Sequence, residues 1–201
     1  LGNATMPDAL MIFAAGFGTR MGALTADRPK PMIDVAGQPL IDHALALADA
    51  AGIAHRVANL HYKPEALARH LAARGVETLL EAPDVLETGG GLRNALPLLG
   101  PGPVFTLNPD AVWTGPNPFD ILRAAWDPAR MDAALVLVPR ANATGHKGPG
   151  DFTLVENCKT GEIVYIKPQP APGEPPERFN WDTPILISPH SPTRIYHASQ
   201  R

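Results

Sequence analysis

Ala9-Leu10-Met11-Ile12-Phe13-Ala14 runs directly into Ala15-Gly16-Phe17-Gly18-Thr19-Arg20-Met21, and this stretch decides the fold. The apolar run predicts a buried strand, and the glycines predict a loop at its end. Glycines let successive amide N–H groups face a phosphate, to which Arg20 would add a charge-assisted hydrogen bond. The third glycine of a dinucleotide motif and the Gly-Lys-Ser/Thr end of a P-loop are both missing. On spacing alone, an ordinary tight turn therefore stays an equal alternative.

Downstream of this strand, strand-like and helix-like patterns alternate along the chain. Helices are predicted at 40–51, 64–74, 91–98 and 119–126, and strands at 56–60, 78–81, 104–108 and 133–138. Strands that alternate with helices favour right-handed crossovers and a sheet covered on both faces. The predicted fold class is α/β, a Rossmann-like three-layer sandwich with a mostly parallel central sheet.

The composition limits which classes of protein need to be considered. With 45% hydrophobic residues among 201, we expect a single domain at 6–201, with residues 1–5 as a remnant outside it. The net charge of −3 and the absence of a Lys/Arg run disfavour nucleic-acid binding. No apolar run approaches the roughly 20 residues of a membrane span, so no membrane association is expected. The single cysteine, Cys158, forms no internal disulfide, and we expect a cytoplasmic protein. The sequence predicts no oligomeric state.

The regular pattern weakens after about residue 155, where the domain is expected to be atypical or incomplete. Segments 152–155 and 163–167 predict a hairpin, and 185–188 predicts one more strand. Five prolines between residues 168 and 176 exclude regular structure there. Residues 189–201 are polar and match no element.

A lysine is held between two prolines in Arg28-Pro29-Lys30-Pro31. Proline restricts the backbone, so the flexible ammonium of Lys30 is presented from one place. This suggests a fixed cation for an anionic ligand near the glycine loop. A rigid surface turn with solvated charges is the alternative, and without the glycine loop it would be favoured.

Polar side chains lie at or just after the carboxyl ends of two predicted strands. Asp110 comes after the strand that ends at Asn108, and Asn59 lies near the end of the strand 56–60. The carboxyl ends of parallel strands face the ligand crevice, and a hard oxygen ligand there suits Mg²⁺. Asp110 is therefore a candidate metal ligand, and Asn59 a weaker nucleotide ligand. A turn-capping aspartate and a satisfied strand-end asparagine are the alternatives.

The glycine and lysine motifs together resemble the signature of sugar-1-phosphate nucleotidyltransferases. The matching stretches are 14–21, Arg28-Pro29-Lys30-Pro31-Met32 and 35–41. Residues 87–92, 94–100 and Gly150-Asp151-Phe152 are similar to the compact uridylyltransferase branch of cell-wall recycling. The resemblance covers roughly residues 8–155.

The resemblance implies a Mg²⁺-dependent enzyme. It would join UTP and a sugar 1-phosphate, best matched by N-acetylmuramic acid 1-phosphate, to give the UDP-sugar and pyrophosphate. In this family pattern Arg20 steadies the pyrophosphate side, Lys30 approaches the α-phosphate and Asp110 holds the metal, which makes these the catalytic candidates. The implied nucleotide-binding residues are Ala15, Gly16, Gly18, Thr19, Arg20, Lys30, Asn59, Glu87, Thr88, Gly89 and Gly90.

Three consecutive glycines, at 89–91, lead into the predicted helix at 91–98. Each costs about 1 kcal/mol against alanine inside a helix, unless something must approach the backbone closely. The family places its pyrimidine against this stretch, so Glu87 to Gly90 are implied to recognise the base. A flexible loop is the alternative. On the sugar side, the resemblance implies substrate contacts from Asp151 and Lys167.

Two departures from the family pattern keep other functions open. A second motif, whose aspartate completes the metal site, is not found in the sequence, and Pro109 stands where another residue is usual. These departures motivate a second hypothesis, a nucleotide-sugar-binding module that has lost catalysis. A mannose-1-phosphate guanylyltransferase-like enzyme is a further alternative, because the sequence decides neither the base nor the sugar.

Overall fold

The computed structural model describes residues 6–146, 148 and 150, and the backbone of four short strands beyond them. In chain order the strands and helices are β1 (Ala9–Phe13), β2 (Asp34–Val35), β3 (Gln38–Pro39), α1 (Leu40–Ala50), β4 (His55–Leu60), α2 (Pro64–Ala72), β5 (Glu77–Leu80), α3 (Glu87–Leu99), β6 (Val104–Leu107), α4 (Pro118–Ala125), β7 (Thr153–Glu156), β8 (Ile163–Ile166), β9 (Leu186–Ile187) and β10 (Ile195–Tyr196). Short 3₁₀ helices lie at Thr19–Thr25, Lys30–Met32 and Arg140–Asn142.

The central sheet has four parallel strands in the order β5-β4-β1-β6. Met11 of β1 is paired with Val57 on one side and Thr106 on the other. Strands β4 and β5 are therefore added on one side of β1, and the chain then crosses to the other side of β1 to form β6. Such a reversal of strand order leaves a crevice outside the carboxyl ends of the two strands, where ligands bind in open α/β sheets.

Strand β1 is buried on both faces of the sheet. Leu10 and Ile12 pack with residues of α1, α2 and α4 on one face, whereas Ala9 and Met11 pack with α3 on the other. Successive strand residues point to opposite faces, so one continuous apolar run serves both layers. The predicted three-layer α/β fold with a parallel sheet is confirmed.

Local signals explain where most helices begin and end. Pro64 and Pro118 open α2 and α4 in the first turn, where a missing N–H costs nothing. The side chain of Asn117 accepts a hydrogen bond from Phe119 N at 3.0 Å and caps α4. Gly52 and Gly75 follow α1 and α2 with φ of +68°, the left-handed conformation that ends a helix.

Two predicted elements differ from the structure. Residues 133–138 form no strand, although their composition is apolar. A strand needs a neighbour for its backbone hydrogen bonds, and among the described residues nothing pairs with this run. Helix α3 begins at Glu87 rather than at residue 91, so Glu87 to Gly90 form the first turn of the helix, and the alternative of a flexible loop is wrong.

Short antiparallel pairs follow the parallel sheet. β7 and β8 pair as the predicted hairpin, and β9 pairs with β10. The prediction that residues 189–201 form no element is wrong at Ile195–Tyr196, which finds a partner in β9. Of the helices in the described part of the chain, none has the length and apolar character needed to cross a membrane.

Candidate functional site

A cleft of about 600 Å³ opens at the carboxyl edge of the sheet, where the strand order reverses. Its walls come from the loop after β1, the segment around Lys30, the end of β4, the start of α3 and the turn after β6. The lining residues are Phe13 to Met21, Lys30, Pro31, Asn59, Val85, Glu87, Thr88 and Asn108 to Asp110. Residues far apart in sequence thus meet at the crevice that the topology creates.

The loop after β1 folds around a buried threonine. Gly18 has φ of +65°, and a Cβ there would lie 2.9 Å from the methyl group of Thr25 and 3.0 Å from the Cβ of Lys30. The hydroxyl of Thr25 lies 3.1 Å from the carbonyl oxygen of Gly18 and 3.2 Å from that of Gly22. Glycine is therefore required at position 18 by both backbone angle and space.

The segment after β1 also contacts the turn between β4 and α2. The ring of Phe17 packs edge-on against His61, with 5.0 Å between centroids. The hydroxyl of Tyr62 donates to the carbonyl of Thr25 at 3.2 Å, and the ammonium of Lys63 donates to the carbonyl of Ala26. These contacts hold the loop in place against the β4–α2 turn.

Removing the Thr25 hydroxyl while keeping its shape tests how far this packing sets ligand affinity. We expect Thr25→Val to lower stability by about 1 kcal/mol, because a hydrogen bond to the loop carbonyls is lost. The KM for a nucleoside triphosphate should rise about fivefold, since the loop amides are then less well fixed. Urea unfolding and steady-state kinetics measure the two effects. Thr25→Ser keeps the hydroxyl and should keep the KM, and an unchanged KM in Thr25→Val would contradict the role.

Lys30 and Asp110 face each other across the mouth of the cleft. The Nζ atom of Lys30 lies 2.7 Å from Oδ2 of Asp110, and the two side chains are 24% and 29% exposed. Pro31, the next residue, is buried, which anchors the short 3₁₀ helix that carries the lysine. Lys30 and Asp110, which are 80 positions apart in the sequence, thus form one ion pair. A phosphate that enters the cleft competes with Asp110 for the ammonium, and a cation competes with Lys30 for the carboxylate.

Arg28 belongs to the same sequence motif but has different partners. Its guanidinium lies 3.1 Å from Asp27 and 3.9 Å from Asp34, away from the residues that line the cleft. The side-chain hydrogen bond between Arg28 and Asp27 lowers the pKa of that carboxyl and raises the pKa of the guanidinium. Of these two cations, Lys30 is the one presented to the cleft.

Asn59 joins the glycine loop to a buried carboxylate. Its Oδ1 accepts from the Ala14 N–H at 2.9 Å, and its Nδ2 donates to Glu81 Oε1 at 2.8 Å. The other oxygen of Glu81 accepts from the Leu86 N–H at 2.7 Å, just before α3. Asn59 is 2% exposed and Glu81 only 1%. The three hydrogen bonds therefore form a buried bridge from the end of β1 to the start of α3.

Helix α3 packs directly on this bridge. A Cβ at Gly91 would lie 2.6 Å from Asn59 Nδ2 and 2.7 Å from Glu81 Oε1, distances that real Cβ atoms do not reach. The glycine at position 91 is thus explained by close packing against a polar pair. This packing also explains why the helix begins early, because the Leu86 N–H is satisfied by Glu81 where the helix starts.

The structure brings most of the predicted site residues together. The cleft is lined by Ala15, Gly16, Gly18, Thr19, Arg20, Lys30, Asn59, Glu87, Thr88 and Asp110. Gly89 and Gly90 lie in the first turn of α3 and are not among the lining residues. Asp151 and Lys167 lie outside the described residues.

The sequence interpretation missed two residues that shape this cleft. Thr25 gives no signal beyond a hydroxyl within a glycine-containing loop. Glu81 does give one, because a charged residue at the end of the predicted strand 78–81 would lie at the same sheet edge as Asn59. A buried carboxylate at that edge needs partners, and this requirement leads to the neighbouring asparagine.

The donor set at the mouth of the cleft fits a metal ion that is completed by ligand oxygens. Within the described residues, no three His, Cys, Asp or Glu side chains cluster closely enough to hold a metal by themselves. Asp110 offers one carboxylate, and Mg²⁺ commonly takes one or two protein carboxylates together with substrate phosphates. The site therefore suits Mg²⁺ that arrives with a polyphosphate.

The fold and cleft define a parallel α/β protein with a loop and cations suited to phosphates at the switch point of its sheet. Residues 10–184 match the family model described as the MobA-like NTP transferase domain. The chain belongs to this family, and the prediction of a nucleotidyltransferase-family enzyme is confirmed.

Individual relatives are consistent with this membership. The N-acetylmuramate alpha-1-phosphate uridylyltransferase of Caulobacter vibrioides is 43% identical over 177 residues, which is 80% of this chain and 73% of that protein. The protein of the same name from Neisseria meningitidis is 37% identical over 72% of this chain and 64% of its own length. The mannose-1-phosphate guanyltransferase of Gibberella zeae is 32% identical over 78% of this chain but only 45% of its own length.

Proposed function

We propose that the chain catalyses transfer of a uridylyl group from UTP to a sugar 1-phosphate, best matched by N-acetylmuramic acid 1-phosphate, in cell-wall recycling. The products are the UDP-sugar and pyrophosphate. The observation that carries the proposal is the cleft itself, in which the glycine loop, Arg20, Lys30 and Asp110 lie together outside β1 and β6. The names of the two uridylyltransferase relatives support the choice of base and sugar.

The reaction needs positive charge on both sides of the reacting phosphorus. An oxygen of the sugar phosphate attacks the α-phosphorus of UTP, a new P–O bond forms, and the bond to the departing pyrophosphate breaks. Such transfers depend on positioning and on electrostatic stabilisation more than on covalent chemistry. The protein must therefore hold two polyanions in line and neutralise the charge that develops.

The cleft residues divide this task between them. Amides of the loop 16–19 and the guanidinium of Arg20 bind the pyrophosphate portion, and the ammonium of Lys30 binds the α-phosphate. Lys30 is already paired with Asp110 at 2.7 Å, so an entering phosphate must share or compete for the ammonium, which has three N–H donors. Asp110 would hold Mg²⁺ together with phosphate oxygens, and the ion would supply further charge neutralisation.

Base recognition is assigned to the start of α3. Glu87, with φ of +61°, and Thr88 line the cleft at the start of α3. Gly89 and Gly90 lie in the first turn of α3 but do not line the cleft, and they are proposed as base contacts from the family resemblance. On the sugar side, Asp151 and Lys167 are proposed from the family resemblance.

Pyrophosphate release tests the proposal directly. We expect turnover with UTP, N-acetylmuramic acid 1-phosphate and Mg²⁺, and its loss when EDTA is added. Parallel reactions should use GTP with mannose 1-phosphate, because a guanyltransferase is among the relatives. Preference for that pair would overturn the choice of UTP and sugar. Binding of UTP without turnover on any sugar phosphate would identify a binding module instead of an enzyme.

A further inference from the structure

We infer that Asn59 and Glu81 act as a positioning pair that sets the base-binding start of α3 relative to the triphosphate-binding loop, and so determines nucleotide affinity. The inference rests on the proposed function for the identity of the ligand. It goes beyond that function because Glu81 does not line the cleft and Asn59 is directed toward protein groups. Their contribution would come through the two segments that they connect.

The direction of each hydrogen bond in the bridge is fixed. A backbone N–H can only donate, so Ala14 requires an acceptor at Asn59 Oδ1, and Leu86 requires one at Glu81 Oε2. The remaining bond then runs from Asn59 Nδ2 to Glu81 Oε1. Exchanging a donor for an acceptor at any one of these side-chain atoms would place two donors or two acceptors against each other.

The bridge spans the two walls that hold opposite ends of the nucleotide. Ala14 directly precedes the loop that faces the phosphates, and Leu86 directly precedes Glu87 and Thr88 on the base side. Gly91 lets α3 rest on the pair without an intervening side chain. Loss of a hydrogen bond made by Glu81 should therefore shift the start of α3, whereas Ala14 keeps its bond as long as residue 59 retains an acceptor oxygen.

This polarity permits a test by exchange. In Glu81→Gln, the new NH₂ group must face either Asn59 Nδ2 or the Leu86 N–H, so two donors oppose each other. In Asn59→Asp, two carboxylate oxygens meet where Nδ2 and Oε1 now lie 2.8 Å apart. In the double variant N59D/E81Q, the amide introduced at position 81 donates to the carboxylate introduced at position 59 and still accepts from the Leu86 N–H. All three hydrogen bonds and the total charge are then restored.

The experiment measures binding of UTP and of pyrophosphate, each with the same Mg²⁺ concentration, to the four full-length proteins. Each single variant should bind UTP about tenfold more weakly, because a buried polar atom loses its partner and the base wall shifts. Pyrophosphate binding should change by less than about threefold, because the Ala14 bond persists in every variant. The double variant should return the UTP affinity to within about threefold of the wild type.

Asp42→Asn is the matched control. Asp42 is also buried, and it pairs with His70 at 2.7 Å and with Arg74 at 3.4 Å between α1 and α2, away from the cleft. This variant should lower stability without changing the ratio of UTP to pyrophosphate affinity. If the Asn59 and Glu81 variants lose affinity only because they are less stable, their affinities for UTP and for pyrophosphate should fall together. That result would overturn the positioning role.

The remaining outcomes also separate the two claims. If the wild type binds neither UTP nor pyrophosphate, the proposed function fails, and the inference fails with it. If the wild type binds both but a folded double variant keeps a weakened UTP affinity, only the positioning pair is rejected. Should the single variants not fold while the double variant does, the pair acts through folding, and a role specific to UTP is rejected.

Discussion

Replacing Lys30 with alanine should lower kcat/KM for UTP by about 10²- to 10³-fold. Lys30 supplies a cation at the mouth of the cleft, and loss of a single group that stabilises transition-state charge has effects of this size. We expect most of the loss in kcat, because the charge on the α-phosphate develops during transfer. Steady-state kinetics over a range of UTP concentrations separates kcat from KM.

Folding should hardly change in this variant. Lys30 and Asp110 are 24% and 29% exposed, and partly exposed ion pairs contribute about 0–1 kcal/mol. Thermal unfolding can therefore show that the loss of activity is not a loss of structure. Arg28→Ala is the control, because its guanidinium pairs with Asp27 and Asp34 outside the cleft. Equal activity losses in the two variants would show that Lys30 acts only through the general charge of the segment.

The parts of the site that the sequence predicts are those encoded within a few residues. The strand followed by the glycine loop and the lysine between two prolines each depend on local backbone preferences, which residue types report directly. Asp110 adds one non-local step, since strand ends of a parallel sheet lie at a common edge. These features lie together in the cleft, as that shared edge requires.

The features that the sequence does not predict depend on contacts between distant residues. The sequence pattern places the start of α3 too late, at residue 91 instead of Glu87. In the structure the Leu86 N–H is satisfied by Glu81, and Gly91 is required by contact with Asn59. At Gly91 the helix penalty of about 1 kcal/mol is then offset by packing that no local pattern reports.

The apolar run 133–138 fails as a strand for a related reason. Its composition resembles that of β1, but β1 has a hydrogen-bonding neighbour on each side. Among the described residues the 133–138 segment has no such neighbour, and its side chains are only partly buried. Burial and pairing are properties of the sheet, so composition alone does not separate the two runs.

Replacing Asp110 with asparagine should have opposite effects on catalysis and on metal-free binding. With Mg²⁺ present, we expect turnover to fall by at least about 10²-fold, because the amide is a poorer ligand for a hard cation than the carboxylate. Without metal, pyrophosphate should bind more tightly than to the wild type. The variant removes a negative charge from the cleft and frees Lys30 from its 2.7 Å ion pair, so the ammonium is available to the anion.

Two titrations distinguish this dual role from a purely structural one. The activity of Asp110→Asn should require a higher Mg²⁺ concentration than that of the wild type, whereas calorimetry in EDTA should give a lower Kd for pyrophosphate. Lys30→Ala is the matched control, because it breaks the same ion pair but removes the cation and should weaken metal-free binding. If Asp110→Asn weakens pyrophosphate binding in EDTA as Lys30→Ala does, the carboxylate does not compete with phosphate for the lysine. An unchanged Mg²⁺ requirement would instead remove Asp110 from the metal site.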